Sequence, residues 1–175
     1  MVYIWRNPNV PETMVGELVS DLGFGVFQKG VEVSRDTVPV FKFNCKLKKL
    51  YDVCQLANST RVPLVNRDIR DLLSVHSDDL QFIKAVVQCQ DGTIEDFSVV
   101  NVLSLVNALD KEQSIFDCVP GTQEIMRFNS IKYNEGNFII ARESSYPVHL
   151  LVSELLAKKL KSSGCKGLFL PAECI

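Results

Sequence analysis

Two runs of β-forming residues lie on either side of a turn dipeptide in the middle of the chain. The first is Leu80-Gln81-Phe82-Ile83-Lys84-Ala85-Val86-Val87-Gln88-Cys89, and the second extends from Thr93 to Val100. Between them lies Asp91-Gly92, a pair that tolerates the positive φ angles of a tight turn. We therefore predict an antiparallel hairpin over this stretch.

Further strands are predicted on both sides of it. Val2–Trp5 and Val38–Phe43 are short runs rich in β-branched and aromatic residues. A second hairpin is predicted from Ser130–Tyr133 and Phe138–Ala141, because the segment between them, Asn134-Glu135-Gly136, is typical of a turn.

Two short helices are predicted before the central strands. Pro11 suits the first position of a helix over Glu12–Leu22, and Gly23 suits the position beyond its end. Asn66 is a favourable N-cap for another helix. The apolar residues of that helix recur at helical spacing at Ile69, Leu72 and Leu73.

The last predicted helix has signals at both ends. Ser153 can cap its first turn, and Gly164 suits the left-handed position beyond its last turn. Cys165 would then contact Leu160, the apolar pair of such a cap. The predicted apolar stripe consists of Val152, Leu155, Leu156 and Leu160. A strand is predicted after it, at Gly167–Leu170.

These elements predict an α+β fold with antiparallel hairpins and a few short helices. A chain of 175 residues, 46% apolar and 23% charged, has the size and composition of one globular domain. No repeat or linker divides it. We therefore predict a single domain over residues 1–175.

Acidic residues are concentrated in one stretch. The chain has 19 basic and 21 acidic residues, and this balance argues against a general nucleic-acid binder. Between Asp91 and Glu124, however, seven acidic residues accompany one basic residue, Lys111. Such a surface suits a basic protein partner, and the alternative is a solvated surface that maintains solubility. The predicted contact residues are Asp91, Glu95, Asp96, Asp110, Glu112 and Asp117.

The cysteines favour a reducing compartment. Cys45, Cys54, Cys89, Cys118, Cys165 and Cys174 are scattered, without C-x-x-C or zinc-ligand spacing. No secretory signal pattern and no apolar run long enough to span a membrane is present in the sequence. We therefore expect a cytoplasmic protein with free thiols that requires no membrane, metal or cofactor, and no small-molecule ligand is indicated.

Few residues suggest catalysis. Neither His76 nor His149 lies near a nucleophile motif, so a surface or interior structural role is favoured for both. Cys45 is followed by lysines whose charge favours a thiolate. Glu95 and Asp96 are paired carboxylates, but neighbours in a regular strand point to opposite faces. An enzyme with a thiol or carboxylate site therefore remains an alternative.

From residue 62 onward the chain carries an ordered series of short patterns. They are Val62-Pro63-Leu64-Val65, Asp91-Gly92, Asn101-Val102, Asn107-Ala108-Leu109-Asp110 with Ser114, Phe138-Ile139-Ile140-Ala141-Arg142, Val152-Ser153-Glu154 and Gly164-Cys165-Lys166-Gly167-Leu168. In order and spacing, over residues 62–175, they resemble a family of bacterial immunity proteins. This family, the myxobacterial immunity type and formerly a domain of unknown function, is encoded beside polymorphic toxins.

The resemblance implies a cytoplasmic antidote that binds a cognate toxin protein and blocks it. It implies no catalytic residues. Residues 1–61 match none of the family's patterns, so the choice of partner could reside there. An adaptor that binds a protein other than a toxin is the remaining possibility.

Overall fold

A six-stranded barrel lies beside a five-stranded sheet in the computed structural model, which describes residues 1–23 and 25–171. The strands are β1 (Val2–Arg6), β2 (Val15–Leu18), β3 (Val40–Lys42), β4 (Gln55–Asn58), β5 (Leu64–Val65), β6 (Leu80–Cys89), β7 (Gly92–Val102), β8 (Leu105–Val106), β9 (Ile115–Cys118), β10 (Ile125–Ser130), β11 (Ile140–Glu143), β12 (Leu150–Ser153) and β13 (Leu168–Pro171). The α-helices are α1 (Arg67–Leu73) and α2 (Glu154–Ser162), and 3-10 turns occur at Glu12–Met14, Val26–Gln28, Leu47–Lys49 and Ser74–Asp79. The predicted α+β class is confirmed.

The barrel is closed in the order β2-β3-β6-β7-β5-β4. Its longest strands are those predicted around Asp91-Gly92, and they pair antiparallel from Leu80 opposite Val102 to Cys89 opposite Gly92. The Asp91 carboxylate accepts a hydrogen bond from the backbone N–H of Leu47 at 2.8 Å, which ties the turn to a neighbouring loop. The barrel interior is filled by buried side chains that include Phe41, Phe43, Ile83, Val87, Phe97 and Val99.

The sheet has the order β13-β1-β12-β11-β8 and is apolar on both faces. In β1, the predicted N-terminal strand, Trp5 packs in the cluster shared with α1 and α2, whereas Val2 and Ile4 pack in a second cluster. This alternation is the two-residue period of a strand covered on both sides. The second cluster is covered by β9 and β10, which form a separate two-stranded unit called here the β9–β10 ribbon.

Residues 1–61 and the residues that follow them build the same barrel and the same sheet. Residues 1–61 supply β1 in the sheet and β2, β3 and β4 in the barrel, where β3 pairs with β6 and β4 pairs with β5. The N-terminal part is therefore built into the barrel wall and into the sheet.

The helix ends follow the predicted pattern. Asn66 Oδ1 accepts from the Ile69 N–H at 3.1 Å at the start of α1, and Ser153 Oγ accepts from the Leu156 N–H at 3.3 Å at the start of α2. Beyond α2, Gly164 has a φ of +79°, and the next residue donates its N–H to Leu160 O at 3.0 Å. This is the Schellman arrangement.

The assignment of one residue, Leu155, to the predicted apolar stripe of α2 was wrong. Leu155 is 60% exposed, whereas Leu156 is 1% exposed. The buried face of α2 is formed by Leu156, Ala157 and Leu160. Ala157, a full turn after Ser153, takes the place of Leu155 in the buried stripe.

The helix predicted over Glu12–Leu22 was also wrong. Its first residues form a 3-10 turn, and β2 follows, antiparallel to β3 and parallel to β4. Within β2, a side chain at Gly16 would overlap the ring of Phe43. The barrel therefore requires an extended strand without a side chain at this point, a demand made by residues distant in the sequence.

The predicted pairing of Ser130–Tyr133 with Phe138–Ala141 does not occur. Tyr133 instead bridges to Leu109, while β11 pairs with β12 and with β8. The two segments belong to different cores: Ile131 and Tyr133 pack under the ribbon, and Ile140 packs on the α2 side of the sheet.

The expectations about membrane spans and free thiols can be compared with the structure over the described residues. Neither helix within the described ranges is long and apolar enough to cross a membrane. Cys45, Cys54, Cys89, Cys118 and Cys165 are free thiols. Cys174 lies outside the described residues.

Leu156→Ala is expected to lower the free energy of unfolding by about 2–5 kcal/mol, because it leaves a cavity in the core. Leu155→Ala is the matched control and should change it by less than about 0.5 kcal/mol, since its side chain is exposed. Urea melts of both variants test this. Equal effects would mean that the assigned helix face is wrong.

Alkylation is expected to separate the thiols by exposure. Burial raises the pKa of Cys165 to about 11, whereas Cys118 is exposed, so Cys118 should react first in the native protein. Mass spectrometry should show six labelled cysteines after denaturation without reductant. Cys118→Ser should remove the fast phase, and two or more unlabelled residues would indicate a native disulfide.

Candidate functional site

The acidic residues predicted to contact a partner fall into two groups. Asp91, Glu95 and Asp96 lie at one end of the β6–β7 pair in the barrel. Asp110 and Glu112 precede the ribbon, and Asp117 lies within β9. Their proximity in sequence therefore does not place all six in one structural element.

A bulge alters the predicted orientation of Glu95 and Asp96. Ala85 pairs with Phe97 and Val87 pairs with Ile94, so both carboxylate residues oppose a single residue of β6. Both are exposed, in contrast to the regular alternation expected for neighbours in a strand. They still have different surroundings, because Glu95 pairs with Lys84 and Asp96 lines a shallow depression beside α1.

Four of the acidic residues already have intrachain roles, and one of them is Asp91, which accepts from the Leu47 N–H as described above. Glu95 lies 2.7 Å from Lys84 Nζ, and this contact lowers the pKa of the carboxyl. Asp117 lies 2.5 Å from Arg127 Nε, and the hydrogen bond lowers its pKa likewise. Asp110 accepts from the backbone N–H groups of the two residues that begin the next turn. Within the described part of the chain, Asp96 and Glu112 have no carboxylate contact shorter than 4 Å with a cation.

The β9–β10 ribbon exposes apolar side chains beside its charges. Phe116 and Phe128 are cross-strand partners with edge-to-face rings 5.8 Å apart, and they face the core. Ile115 and Met126 are instead 62% and 52% exposed. These two exposed apolar side chains make the ribbon a candidate contact surface for another protein.

A cleft of about 440 Å³ lies beside the ribbon and is called here the arginine cleft. It is lined by Trp5, Arg6, Asn7, Arg61, Met126, Arg127, Phe128, Tyr146, Val148 and His149. These come from the end of β1, the β4–β5 turn, β10 and the segment before β12. The cleft combines cationic and aromatic groups, and no carboxylate is among its lining residues in the described ranges.

The arginines give the cleft an uncompensated positive charge. Arg127 is paired with Asp117, but Arg6 and Arg61 have no carboxylate within 4 Å among residues 1–23 and 25–171. Burial lowers the pKa of Arg6, and the nearby charge of Arg61 lowers it further. The two guanidinium groups therefore repel one another, and an anion in the cleft would relieve this repulsion.

Arg61 has an unusual backbone conformation. Its φ is +56°, the one positive φ of a non-glycine residue in the part that the structure describes. Such a conformation costs about 1–2 kcal/mol. The turn is held by Asn58, whose Nδ2 donates to Val62 O at 2.8 Å and whose Oδ1 accepts from Thr60 at 2.7 Å. The surrounding bonds thus keep Arg61 in this conformation at the edge of the cleft.

His149 is a neutral aromatic group in the cleft wall. Its Nδ1 lies 2.7 Å from Tyr133 Oη, and its ring stacks on Phe128 at 5.5 Å. Burial lowers the pKa of His149 to about 3, with smaller contributions from Arg6 and Arg61. Burial also raises the pKa of Tyr133, so this hydroxyl keeps its proton and can donate to Nδ1, which leaves the ring proton on Nε2.

Asn7 contributes a buried acceptor. Its Nδ2 donates to Asn58 O at 2.7 Å, which fixes the orientation of the amide. Its Oδ1 is enclosed and has no hydrogen-bond donor among the described residues. A buried acceptor without a donor is rare in proteins.

The other residues considered for catalysis lie elsewhere. Cys45 is 9% exposed and packs inside the barrel, away from the arginine cleft. His76 lies in the 3-10 turn after α1. Within the described ranges, no group of three His, Cys, Asp or Glu side chains is arranged to hold a metal ion.

Sequence reasoning did not find the arginine cleft. Arg6, Arg61 and Arg127 are each isolated in the sequence. Of the residues that line the cleft, only His149 was considered for catalysis, and a structural role was favoured for it. The positive φ of Arg61 has no sequence signal, because left-handed conformations are usually marked by glycine or asparagine.

No protein-family model matches the chain, and no curated protein matches it in sequence. The resemblance to immunity proteins therefore remains a prediction from the short patterns quoted above.

Acid is expected to destabilise the fold through His149. The folded-state pKa of about 3 lies below the value of about 6.5 for an exposed histidine. Between these values the unfolded chain binds a proton that the folded chain does not, so stability is complete above about pH 6.5 and falls towards pH 3. From pH 7.5 to pH 5.5, His149→Gln should lose about 1 kcal/mol less stability than the wild-type chain.

Urea melts at both pH values measure this difference. His76→Gln is the control for removal of the chain's other histidine. If the three proteins lost the same stability on acidification, a neutral buried His149 would be contradicted.

Proposed function

We propose that the chain is a bacterial immunity protein that binds a cognate toxin protein and blocks it without catalysing a reaction. The observation that carries this proposal is the β9–β10 ribbon, where Ile115 and Met126 are exposed beside acidic side chains. Exposed apolar residues surrounded by charged ones are typical of protein interfaces, because the apolar centre supplies affinity and the charged rim supplies specificity.

The ordered patterns of residues 62–175 support the same function. Asn107-Ala108-Leu109-Asp110 lies immediately before the ribbon, and the N–H groups of Ala108 and Leu109 donate to the buried Glu143 at 2.8 and 2.9 Å. Ser114 Oγ accepts from the Lys132 N–H at 2.9 Å, which joins the two ends of the ribbon. The patterned residues thus anchor the surface that is proposed to bind.

The acidic contact is narrowed to residues near the ribbon. Glu112 and Glu124 are exposed there, and Asp117 lies on β9 beside Arg127. A toxin that acts on nucleic acid presents a basic site, and complementary charge would accelerate its encounter with the ribbon. Asp91, Glu95 and Asp96 lie on the barrel and belong to the proposed contact only if the toxin also covers that end.

The enzyme alternative has less support. A catalytic thiol must be accessible, whereas Cys45 is 9% exposed and packed in the barrel core. An adaptor for a different protein would use the same ribbon. A growth assay with a toxin separates these possibilities.

The test uses the product of the gene next to the one that encodes the chain. Co-expression should restore growth of a bacterium that makes this product, and the two proteins should co-purify. The double variant Ile115→Arg with Glu112→Lys should lose protection and bind at least about 30-fold more weakly, the loss expected for an interface hot spot of about 2 kcal/mol.

Two controls interpret the result. Val75→Arg with Asp36→Lys makes the same chemical changes at exposed positions outside the ribbon and should protect fully. Cys45→Ser should also protect. Loss of protection by folded Cys45→Ser, with the ribbon variant still active, would favour the thiol enzyme instead.

A further inference from the structure

The arginine cleft has features that the toxin-binding proposal does not use. Arg6 and Arg61 offer two guanidinium groups without a carboxylate partner in the described part of the chain. A phosphate group bears up to two negative charges and accepts bidentate hydrogen bonds from arginine, so it matches two such groups better than a single carboxylate does.

The aromatic part of the cleft lining suits a flat ring. Phe128, Tyr146 and His149 form an aromatic cluster, with centroids 5.1 Å apart for Phe128 and Tyr146 and 4.7 Å apart for Tyr146 and His149. All three line the cleft. Because His149 carries no charge at neutral pH, this wall stays an uncharged stacking surface beside a cationic one.

Asn7 adds a fixed polar amide to the lining of the cleft. Its Nδ2 donates to Asn58 O, and its Oδ1 is enclosed by the protein. The arginines and the aromatic side chains therefore match a ligand that carries an anionic group and a planar ring. The volume of about 440 Å³ lies within the range of small-molecule sites.

We propose that the arginine cleft binds a nucleoside phosphate, with the phosphate at Arg6 and Arg61 and the base against Phe128, Tyr146 and His149. This site adjoins the exposed face of the ribbon, because Met126 belongs to both, whereas Arg6 and Arg61 belong to the cleft alone and Ile115 to the ribbon alone.

Trp5 gives a direct readout of binding, because it is the chain's single tryptophan and lines the cleft. The full chain is titrated with ADP, with adenosine and with inorganic phosphate, and calorimetry with ADP is run in parallel. Saturable binding of ADP, at least about tenfold tighter than that of either fragment, is expected. No saturable ADP binding, or equal affinity for inorganic phosphate, would overturn the proposal.

Arg61→Gly is the sharpest variant. Glycine adopts a φ of +56° without strain, so the variant should be at least as stable as the wild-type chain. Its affinity for ADP should fall at least about tenfold, because one charged donor is lost. Arg35→Ala, which removes an exposed arginine outside the cleft lining, should bind ADP as the wild type does. Unchanged affinity in Arg61→Gly would place ADP elsewhere and overturn the proposal.

A short polyglutamate peptide tests the competing occupant. Binding of the peptide that depends on Arg61, together with no binding of ADP, would assign the cleft to a protein partner and overturn the nucleotide site. Arg61→Gly leaves the exposed ribbon residues in place and should still protect against the toxin. The two proposals can therefore fail independently.

Discussion

The amide of Gln55 joins the barrel to the five-stranded sheet. It is almost fully buried in β4, and its Oε1 accepts from Trp5 Nε1 at 2.9 Å and from Cys165 Sγ at 3.3 Å. Its Nε2 donates to Arg6 O at 3.3 Å. A side chain at Gly167 would overlap both the Gln55 oxygen and the Trp5 indole nitrogen. Only a glycine at this position therefore lets the chain after α2 come this close to Gln55 and Trp5. One polar group in a low-dielectric interior thus links a barrel strand, strand β1 of the sheet and the cap of α2. The arginine cleft begins at the same point, where β1 ends.

Elements with local signals were predictable, and elements set by distant contacts were not. The caps at Asn66 and Ser153 act within one helical turn, so the sequence alone reveals both helices. The segment Glu12–Leu22 carries an equally plausible set of local signals for a helix. Its conformation is decided instead by the pairing of β2 with β3 and β4 and by the packing of the Phe43 ring over Gly16, none of which is local.

In the candidate site, the contrast between features visible in the sequence and features created by distant contacts is stronger. An acidic stretch is visible in a sequence because its members are neighbours, yet the fold places Asp91 on the barrel and Asp117 on the ribbon. The arginine cleft has the opposite character: Arg6, Arg61 and Arg127 come together only through the junction of sheet, barrel and ribbon. The electrostatic field of a folded protein depends on where charges lie on its surface. Counting charges along the chain therefore detects the acidic stretch but misses the arginine cleft.

Both walls of the arginine cleft are fixed from behind by buried polar groups. Arg142 is fully buried and donates to Pro147 O at 2.8 Å, and Glu143 accepts from the Ser145 N–H at 3.0 Å. These bonds set the segment between β11 and β12 that carries Tyr146 and His149, whereas Phe128 of the aromatic wall lies in β10. Burial lowers the pKa of Arg142 only to about 10, so it remains charged at neutral pH, although its Nε and Nη2 have no acceptor among the described residues. On the other side, Asn58 holds the β4–β5 turn. Because these bonds already hold the backbone of both walls, a ligand of the proposed kind would lose less conformational entropy on binding than at a site whose loops must first be ordered.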